Sequence, residues 1–203
     1  NFLGGQDENW FVLVHVAIEA EAGRALQLAT ELVEAAAQHD AVKVEQLLTD
    51  MNRVWDAMNA HFDRMPERCD PYIYYQRVRP YIHGWKNNPA MPDGLIYEGV
   101  AKFAGKPQAF RGQTGSQSSI VPAMDGLFQV VHESDPLREF LDELHQYRPP
   151  QHRGFIDAVR EASTLRDFAK TQNQSVKDAF NACVEQVARF RTRHLEYAAS
   201  YIN

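Results

Sequence analysis

Apolar residues recur every three or four positions along most of the chain, which is the spacing of one face of an α-helix. The first run of this kind extends from Trp10 to about His39. The second follows Asp40 and stops at Pro66, because proline cannot continue a helix. The pattern therefore predicts two long amphipathic helices in the first third of the chain.

A third helical segment is predicted to begin at Asp70, whose carboxylate suits a helix N-cap, with Pro71 at the first helical position. Pro80 is expected to kink or stop that segment, because its ring clashes with the preceding turn. The same apolar periodicity returns in the second half of the chain. It predicts further helices over 119–132, 137–147, 151–162, 164–171 and from about 175 to 202.

The segment between Gly84 and Ser119 differs in composition, because six of the eleven glycines and three of the ten prolines fall in it. Loops of this length are usually functional or disordered. Its aromatic residues favour an ordered loop that packs on the protein: Trp85, Tyr97, Phe103 and Phe110. The pattern as a whole predicts one all-α, multi-helix bundle over residues 1–203 with a long, glycine-rich irregular loop.

Composition and charge narrow the class of protein. The chain has 21 basic and 27 acidic residues, a formal charge of −6, which argues against a nucleic-acid partner because phosphates need a concentrated positive surface. No stretch of about eighteen apolar residues occurs, so no membrane span is expected. Cys69 and Cys183 lack the spacing of a zinc site or a disulfide scaffold and favour a reducing, cytoplasmic location.

The two ends lead us to expect a fragment of a longer protein. Asn1 is not an initiator residue, and no signal-peptide pattern precedes the first helical run. The chain stops at Tyr201-Ile202-Asn203 without a glycine or proline to end the last helix.

Two histidines lie within apolar helix faces. His15 is flanked by Val14 and Val16, and His194 continues the apolar face of the last helix that begins at Phe180. A buried imidazole must find a hydrogen-bond partner or stay neutral. One interpretation is a core histidine bonded to a backbone carbonyl. The other is an axial ligand of haem iron, which takes a neutral imidazole in an apolar surrounding.

Arg79 follows a cluster of aromatic residues that includes Tyr74. A guanidinium beside aromatic rings suits a ligand with a carboxylate, although a surface salt bridge is the simpler interpretation. The serine-rich stretch from Thr114 to Ser119 is either a turn that caps the next helix or a flexible backbone that closes over a ligand. No Glu-x-x-His, His-Glu-x-x-His, Walker or Gly-x-Ser-x-Gly motif occurs, so other metal and nucleophile chemistries find no support.

Five stretches stand out by their order and spacing. They are Gly84-Trp85-Lys86-Asn87-Asn88-Pro89, Asp93-Gly94-Leu95-Ile96-Tyr97-Glu98-Gly99, Phe110-Arg111-Gly112-Gln113-Thr114-Gly115-Ser116-Gln117-Ser118-Ser119, Tyr147-Arg148-Pro149-Pro150-Gln151-His152-Arg153 and Arg191-Thr192-Arg193-His194-Leu195. With them, the chain resembles the indoleamine 2,3-dioxygenase family over residues 8–203. Members of that family are haem enzymes that open the indole ring of tryptophan.

The resemblance implies the large, haem-binding catalytic domain of that family, without its small N-terminal domain and its mobile C-terminal loop. It implies haem b as the cofactor and a dioxygenase activity in tryptophan catabolism, on the kynurenine pathway. Such an enzyme uses O2 to cleave the indole C2–C3 bond of L-tryptophan or a related indole, giving an N-formylkynurenine-type product. The protein is expected to be monomeric, with a missing segment or second polypeptide completing the domain.

The resemblance also implies roles for single residues. His194 matches the proximal ligand of the haem iron, and Arg191 and Asp125 match an ion pair that supports the proximal side. Arg79 matches the arginine that receives the substrate carboxylate. Tyr74 falls where the family places an aromatic ring against the indole.

On the opposite side, Phe11 and His15 match the helix that faces dioxygen, and Thr114 and Gly115 fall in the loop over the haem. His15 and Arg79 are therefore the candidate catalytic residues. A neutral His15 would accept the indole N–H or hydrogen-bond the oxygen.

Several positions depart from the family pattern. The family usually has serine at the position of His15, and a distal histidine is typical of the sister family, tryptophan 2,3-dioxygenase. Tyr74 and Thr114 replace the expected phenylalanine and serine, and Gln113 replaces the second glycine of the loop. These differences bear on substrate preference rather than on the cofactor. Two alternatives stay open: a haem monooxygenase acting on an indole in secondary metabolism, and a non-catalytic haem- or O2-binding protein.

Overall fold

The computed structural model describes residues 1–132 and 136–202. Its α-helices in chain order are α1 (Gln6–Ala37), α2 (Ala41–Asp63), α3 (Pro71–Ile73), α4 (Arg79–Ile82), α5 (Ile120–Phe128), α6 (Pro136–His145), α7 (Pro150–Ala162), α8 (Leu165–Thr171) and α9 (Gln174–Ile202). Over these described residues, extended segments pair only at two isolated bridges, Gly84 with Arg111 and Leu95 with Gln108. The predicted all-α class is confirmed. Over the same residues, no helix is both long and apolar enough to cross a membrane.

Helix α2 packs against both α1 and α9 and forms much of the core. The connection over residues 38–40 reverses the chain, and the Asp40 carboxylate accepts a hydrogen bond from the Lys43 amide at 3.0 Å. Many fully buried residues of α1 are alanines, whereas those of α2 are large: Leu48, Met51, Trp55 and Met58. Small side chains on one helix and large ones on the other let the two interdigitate at a short distance.

Side-chain amides of α2 fix the position of α9 along it. Asn52 donates to the Ala179 carbonyl at 3.1 Å, and Asn59 donates to the Gln186 carbonyl at 3.3 Å. Asn59 is buried, so its amide must be hydrogen-bonded inside the protein. A shift of α9 along α2 would break both bonds at once.

The break predicted at Pro80 is replaced by a local widening of the helix. Tyr74–Val78 form a π-helical turn between α3 and α4, in which the Arg79 amide donates to the Tyr74 carbonyl five residues earlier. Pro80 has no amide hydrogen to offer, and the wider turn accommodates its ring without ending the helix. The turn brings Tyr74 and Arg79 close together.

Residues 83–119 form the irregular segment, with two short 3-10 turns, Ala101–Phe103 and Gly115–Gln117. The Gly112 amide donates to the His83 carbonyl at 3.1 Å, which joins the segment to the end of α4. Three rings within it pack together with centroids 5.6–5.8 Å apart: Tyr97, Phe103 and Phe110. These contacts give the segment a small apolar cluster of its own.

The helix predicted over 119–132 ends early, at Phe128, so that boundary was wrong. Gln129 adopts the left-handed conformation with φ 52°, and its side chain donates to the Gly126 carbonyl at 2.8 Å. A left-handed residue with a capped carbonyl is a common helix C-terminus. The chain turns back there and returns His132 toward α5. The other predicted helices are present, with shifted ends.

The contact between Gly112 and α4 generates a prediction. A Cβ built on Gly112 would overlap the Ile82 carbonyl oxygen, and the Gly112 amide is held at that place by its hydrogen bond to the His83 carbonyl. Gly112→Ala should therefore lower the free energy of unfolding by about 1–3 kcal/mol. Urea unfolding followed by circular dichroism measures it.

The matched control is Gly154→Ala, in the interior of α7, where a Cβ meets no atom within 4 Å. Alanine is a better helix former than glycine, so this variant should gain about 0.5–1 kcal/mol. Equal effects of the two substitutions would show that the loop is not packed against α4.

Candidate functional site

Phe11 and His15 lie one turn apart on α1, with ring centroids 4.4 Å apart. The Nδ1 atom of His15 is 2.8 Å from the Phe11 carbonyl oxygen. A carbonyl oxygen only accepts hydrogen bonds, so Nδ1 carries the hydrogen. In the neutral ring Nε2 is then an unprotonated acceptor.

Burial lowers the pKa of His15 below its ordinary value of 6.5, and this effect outweighs the Phe11 carbonyl and the Glu19 charge, which act in the opposite direction. The neutral form therefore dominates at neutral pH. The core-histidine and haem-side interpretations both required a neutral ring.

Tyr74 and Arg79 extend the site from the π-helical turn. The Tyr74 ring is 4.9 Å from the Phe11 ring and 5.6 Å from that of Tyr201, and Tyr74 is buried. The Arg79 guanidinium lies beside the Tyr74 hydroxyl, where its charge and hydrogen-bonding capacity act to lower the pKa of Tyr74. Burial raises the pKa of Tyr74, so its hydroxyl stays protonated. Together the two residues form an aromatic surface beside a positive charge.

The serine-rich loop reaches His15 through Gly115. A Cβ on Gly115 would lie 3.2 Å from His15 Nε2, so the Gly115 backbone faces that nitrogen directly. Thr114 caps the short turn that follows, because its hydroxyl accepts a hydrogen bond from the Ser116 amide at 3.3 Å. Thr114 thus caps this short turn and not α5, whose N-cap residue Ser119 makes no side-chain capping hydrogen bond. That the stretch closes over a ligand stays a prediction.

His194 is exposed, contrary to its predicted place in a buried stripe. Phe190 and Tyr197, one turn before and one turn after His194, both pack against the Phe62 ring. His194 lies between them along the helix, but its side chain is exposed. The protein around the imidazole still removes water, and this lowers the pKa of His194, as does the charge of His15. Among the described residues, neither ring nitrogen has a hydrogen-bond partner.

Asp125 of α5 and Arg191 of α9 form an ion pair, with Arg191 Nη2 at 2.6 and 2.5 Å from the two carboxylate oxygens. Arg191 lies one helical turn before His194. The Asp125 carboxylate also contacts His132 Nε2 at 3.0 Å, and its side chain is only 15% exposed. A largely buried carboxylate with two nitrogen partners is a rigid link between the two helices.

The structure thus joins Phe11, His15, Tyr74, Arg79 and Gly115 by direct contacts, and His15 to His194 electrostatically. Sequence reasoning gave no role to two residues beside this group: His132, which contacts Asp125, and Arg148, which contacts the loop that carries Gly115. His132 left no readable signal, because its approach to Asp125 depends on the left-handed turn after α5. Arg148 lies in a quoted motif, and its guanidinium donates to the carbonyls of Ser116 and Ser118.

The fold and the site define an all-α protein with an imidazole, His194, whose pKa is lowered and whose nitrogens have no hydrogen-bond partner among the described residues. The family model described as Indoleamine 2,3-dioxygenase matches residues 1–203. The chain belongs to that family.

Three relatives show how the family covers the chain. Indoleamine 2,3-dioxygenase 1 of Rattus norvegicus is 32% identical over 205 residues, covering 100% of this chain and 50% of the relative. Indoleamine 2,3-dioxygenase 2 of Mus musculus is 32% identical over 203 residues, covering 100% and 49%. A protein named myoglobin, of Haliotis madaka, is 30% identical over 206 residues, covering 100% and 53%. The chain spans about half the length of these relatives.

The electrostatic contact between the two histidines can be tested in haem-free protein. His15→Gln should raise the pKa of His194, because a protonated His15 disfavours protonation of His194 at the acidic pH where both imidazoles take up protons. An NMR pH titration of the histidine side chains measures the change. The matched control, His61→Gln, should leave the His194 titration where it is.

The lowered pKa values of His15 and His194 also predict how the stability of the fold depends on pH. The unfolded chain takes up protons on these two imidazoles near their ordinary pKa of 6.5, and the folded protein does so only at lower pH. Stability should therefore be highest above pH 6.5 and fall as the pH drops through the folded pKa values.

An unchanged His194 titration in His15→Gln would show that the two rings are not in electrostatic contact.

Proposed function

We propose that the protein is a haem-dependent dioxygenase that uses O2 to cleave the indole C2–C3 bond of L-tryptophan or a related indole, giving an N-formylkynurenine-type product. The observation that carries the proposal is the chain of contacts from Arg79 through Tyr74 and Phe11 to His15. A guanidinium, an aromatic wall and a hydrogen-bond acceptor suit the carboxylate, ring and N–H of such a substrate. Membership of the indoleamine 2,3-dioxygenase family supports the same activity.

We assign His194 as the proximal ligand of haem b. Its nitrogens are unpartnered among the described residues and its lowered pKa keeps the ring neutral, which is the form that ligates iron. One protein imidazole suffices, because the porphyrin supplies four more nitrogens. Haem iron, when bound, supplies the activation of O2, and the protein supplies ligation, orientation and electrostatics.

Asp125 and Arg191 support the proximal side in this assignment. Their ion pair joins α5 to α9 one turn before His194 and restrains the part of α9 that carries the ligand. Groups that orient a metal ligand in this way commonly tune its affinity for the metal.

Arg79 receives the substrate carboxylate. A guanidinium has five N–H donors, which suffice for a two-point contact with a carboxylate beside the Tyr74 hydroxyl. Phe11 and Tyr74 form the wall for the indole, with Thr114 and Gly115 on the loop side.

The tautomer of His15 favours one of its two possible roles. Because Nδ1 is committed to the Phe11 carbonyl, Nε2 of the neutral ring accepts a hydrogen bond and has none to donate. It is suited to the indole N–H. A hydrogen bond donated to oxygen would need a second proton on the ring, which its lowered pKa disfavours.

A further segment or second polypeptide completes the site in this proposal. The chain spans about half of its relatives, and His194 and Thr114 are exposed. Water at these residues would weaken the polar contacts that hold a substrate. Leu13 and Val16 of α1, each 56% exposed, offer apolar surface to such a segment. We propose the completed protein to be a cytoplasmic monomer whose ligands are O2 and an indole.

A second candidate function is non-catalytic binding of haem and O2, favoured by the relative named myoglobin. Arg79 beside Tyr74 weighs against it, because an O2-binding protein needs no group that receives a carboxylate. The third candidate, a haem monooxygenase on an indole, differs only in the number of oxygen atoms inserted.

The deciding experiment is aerobic incubation of the full-length, haem-loaded ferrous protein with L-tryptophan, followed by mass analysis of the product. A dioxygenase adds two oxygen atoms, a monooxygenase adds one, and an O2-binding protein leaves tryptophan unchanged. Anaerobic addition of L-tryptophan, monitored at the Soret band, shows separately whether an indole site exists.

Arg79→Ala should raise the KM for L-tryptophan about ten- to a hundredfold, because hydrogen bonds to charged groups contribute about 1.5–3 kcal/mol. Haem content should stay near that of the unaltered protein. Arg79→Lys should recover part of the loss, since an ammonium cannot form the two-point contact.

The matched control is Arg77→Ala, which removes an exposed arginine from the same π-helical turn and should leave KM unchanged. An unaltered KM in Arg79→Ala would remove the carboxylate contact from the proposal and favour an indole without a carboxylate.

His194→Ala should lose most of the bound haem, because it removes the axial nitrogen while alanine preserves α9. Haem content is measured from the Soret absorbance per chain after gel filtration. His61→Ala, on α2, should retain haem. Full retention with an unchanged Soret spectrum in His194→Ala would exclude it as the proximal ligand.

A further inference from the structure

We propose that Arg148 is a positioning residue that holds the Thr114–Gly115 turn against His15 and thereby governs how an indole reaches that imidazole. The second part rests on the proposed function. Arg148 follows the end of α6, and its Nε donates to the Ser118 carbonyl at 3.1 Å and its Nη2 to the Ser116 carbonyl at 2.9 Å. The two carbonyls belong to residues one and three positions after Gly115.

Arg148 is only 4% exposed. Across the residues that the structure describes, no carboxylate forms an ion pair with its guanidinium, and its remaining contact is His145 Nδ1 at 3.3 Å from Nη1. A buried charge without a counter-ion is costly unless its donors are hydrogen-bonded. The two loop carbonyls are the main acceptors, so the loop and Arg148 hold each other in place.

The neighbouring residue secures the other end of the loop. The Tyr147 hydroxyl accepts a hydrogen bond from the Arg111 amide at 3.1 Å. Between the two attachments, the Gln117 side chain donates to the Gly112 carbonyl at 2.8 Å and closes the loop on itself. The segment from Arg111 to Ser118 is therefore attached at both ends to consecutive residues, Tyr147 and Arg148.

The Gly115–Ser118 turn links Arg148 to His15, because it is hydrogen-bonded to Arg148 at one end and lies against His15 at the other. The Ser118 amide donates to the Gly115 carbonyl at 3.0 Å, so Gly115 and the two residues bonded to Arg148 form one hydrogen-bonded unit. Gly115 faces His15 Nε2, the nitrogen that the proposed function assigns to the indole N–H. When the unit moves, the backbone beside that nitrogen moves with it.

The test compares Arg148→Met with Arg153→Met in the full-length protein with its haem. Methionine keeps much of the apolar stem and removes every donor. Arg153 is the matched control because it also donates to a backbone carbonyl, that of Gln146 at 3.2 Å, but does not touch the loop. Arg148→Met should accelerate amide hydrogen exchange over residues 112–118 by about tenfold or more, and Arg153→Met should not.

The kinetic readout separates positioning from general damage. If the held turn is the binding-competent state, Arg148→Met should raise the KM for the indole about tenfold with little change in kcat, because only the fraction of competent molecules falls. Unchanged exchange over 112–118 would overturn the contact itself. Faster exchange with an unchanged KM would overturn its role in substrate access.

Two further comparisons cover the cases in which Arg148→Met does not fold or the protein converts no indole. If Arg148→Met does not fold, as judged by circular dichroism, Arg148→Lys replaces it, since lysine keeps the charge but cannot match the two-carbonyl geometry. It should give an intermediate acceleration, and normal exchange would overturn the proposal. If the unaltered protein converts no indole, the proposed function and the substrate-access role fail together, while the exchange comparison still decides whether Arg148 holds the turn.

Discussion

The packing of α2 between α1 and α9 is the constraint on which the rest of the structure depends. α1 carries Phe11 and His15, and α9 carries Arg191 and His194, so the two sides of the candidate site are placed by contacts with a single buried helix. Hydrophobic burial along α2 stabilises this packing, since its core residues are almost fully removed from water. The hydrogen bonds of its asparagines to α9 carbonyls add a fixed register. Burial alone is non-directional and would not set that register.

The irregular segment over 83–119 needs its own attachments, because it lies outside the helical hydrogen-bond pattern. Its backbone polar groups are satisfied through turns, through the bridge of Gly84 with Arg111, and through side chains of the segment after α6. Among these partners, Arg148 depends on the loop in turn, because a buried guanidinium is costly unless its N–H donors find acceptors. The result is a loop that is ordered without regular secondary structure and that lies directly against a helix of the site.

The candidate site combines two neutral imidazoles with a separate ion pair. His15 and His194 are both pushed toward the neutral form, one mainly by burial and the other by burial together with its neighbour's charge. Asp125, by contrast, is charged and pairs with Arg191 and His132 on the α5 side of α9. A neutral imidazole has an unprotonated nitrogen, which is the form that accepts a hydrogen bond and the form that the proposed ligation of iron requires.

The sequence by itself determined the all-α class, the two long helices before Pro66 and the membership of candidate residues in recognisable motifs, because periodicity and local motifs depend on neighbours along the chain. It was wrong on the exposure of His194 and on the end of the helix before Gln129, because side-chain burial and a left-handed turn are decided by distant contacts. Only the tertiary structure decided which His15 nitrogen is free, that Pro80 follows a widened turn, and that Arg148 supports the loop. Each of these depends on contacts between atoms that are close in space, and the periodicity of apolar positions does not predict such contacts.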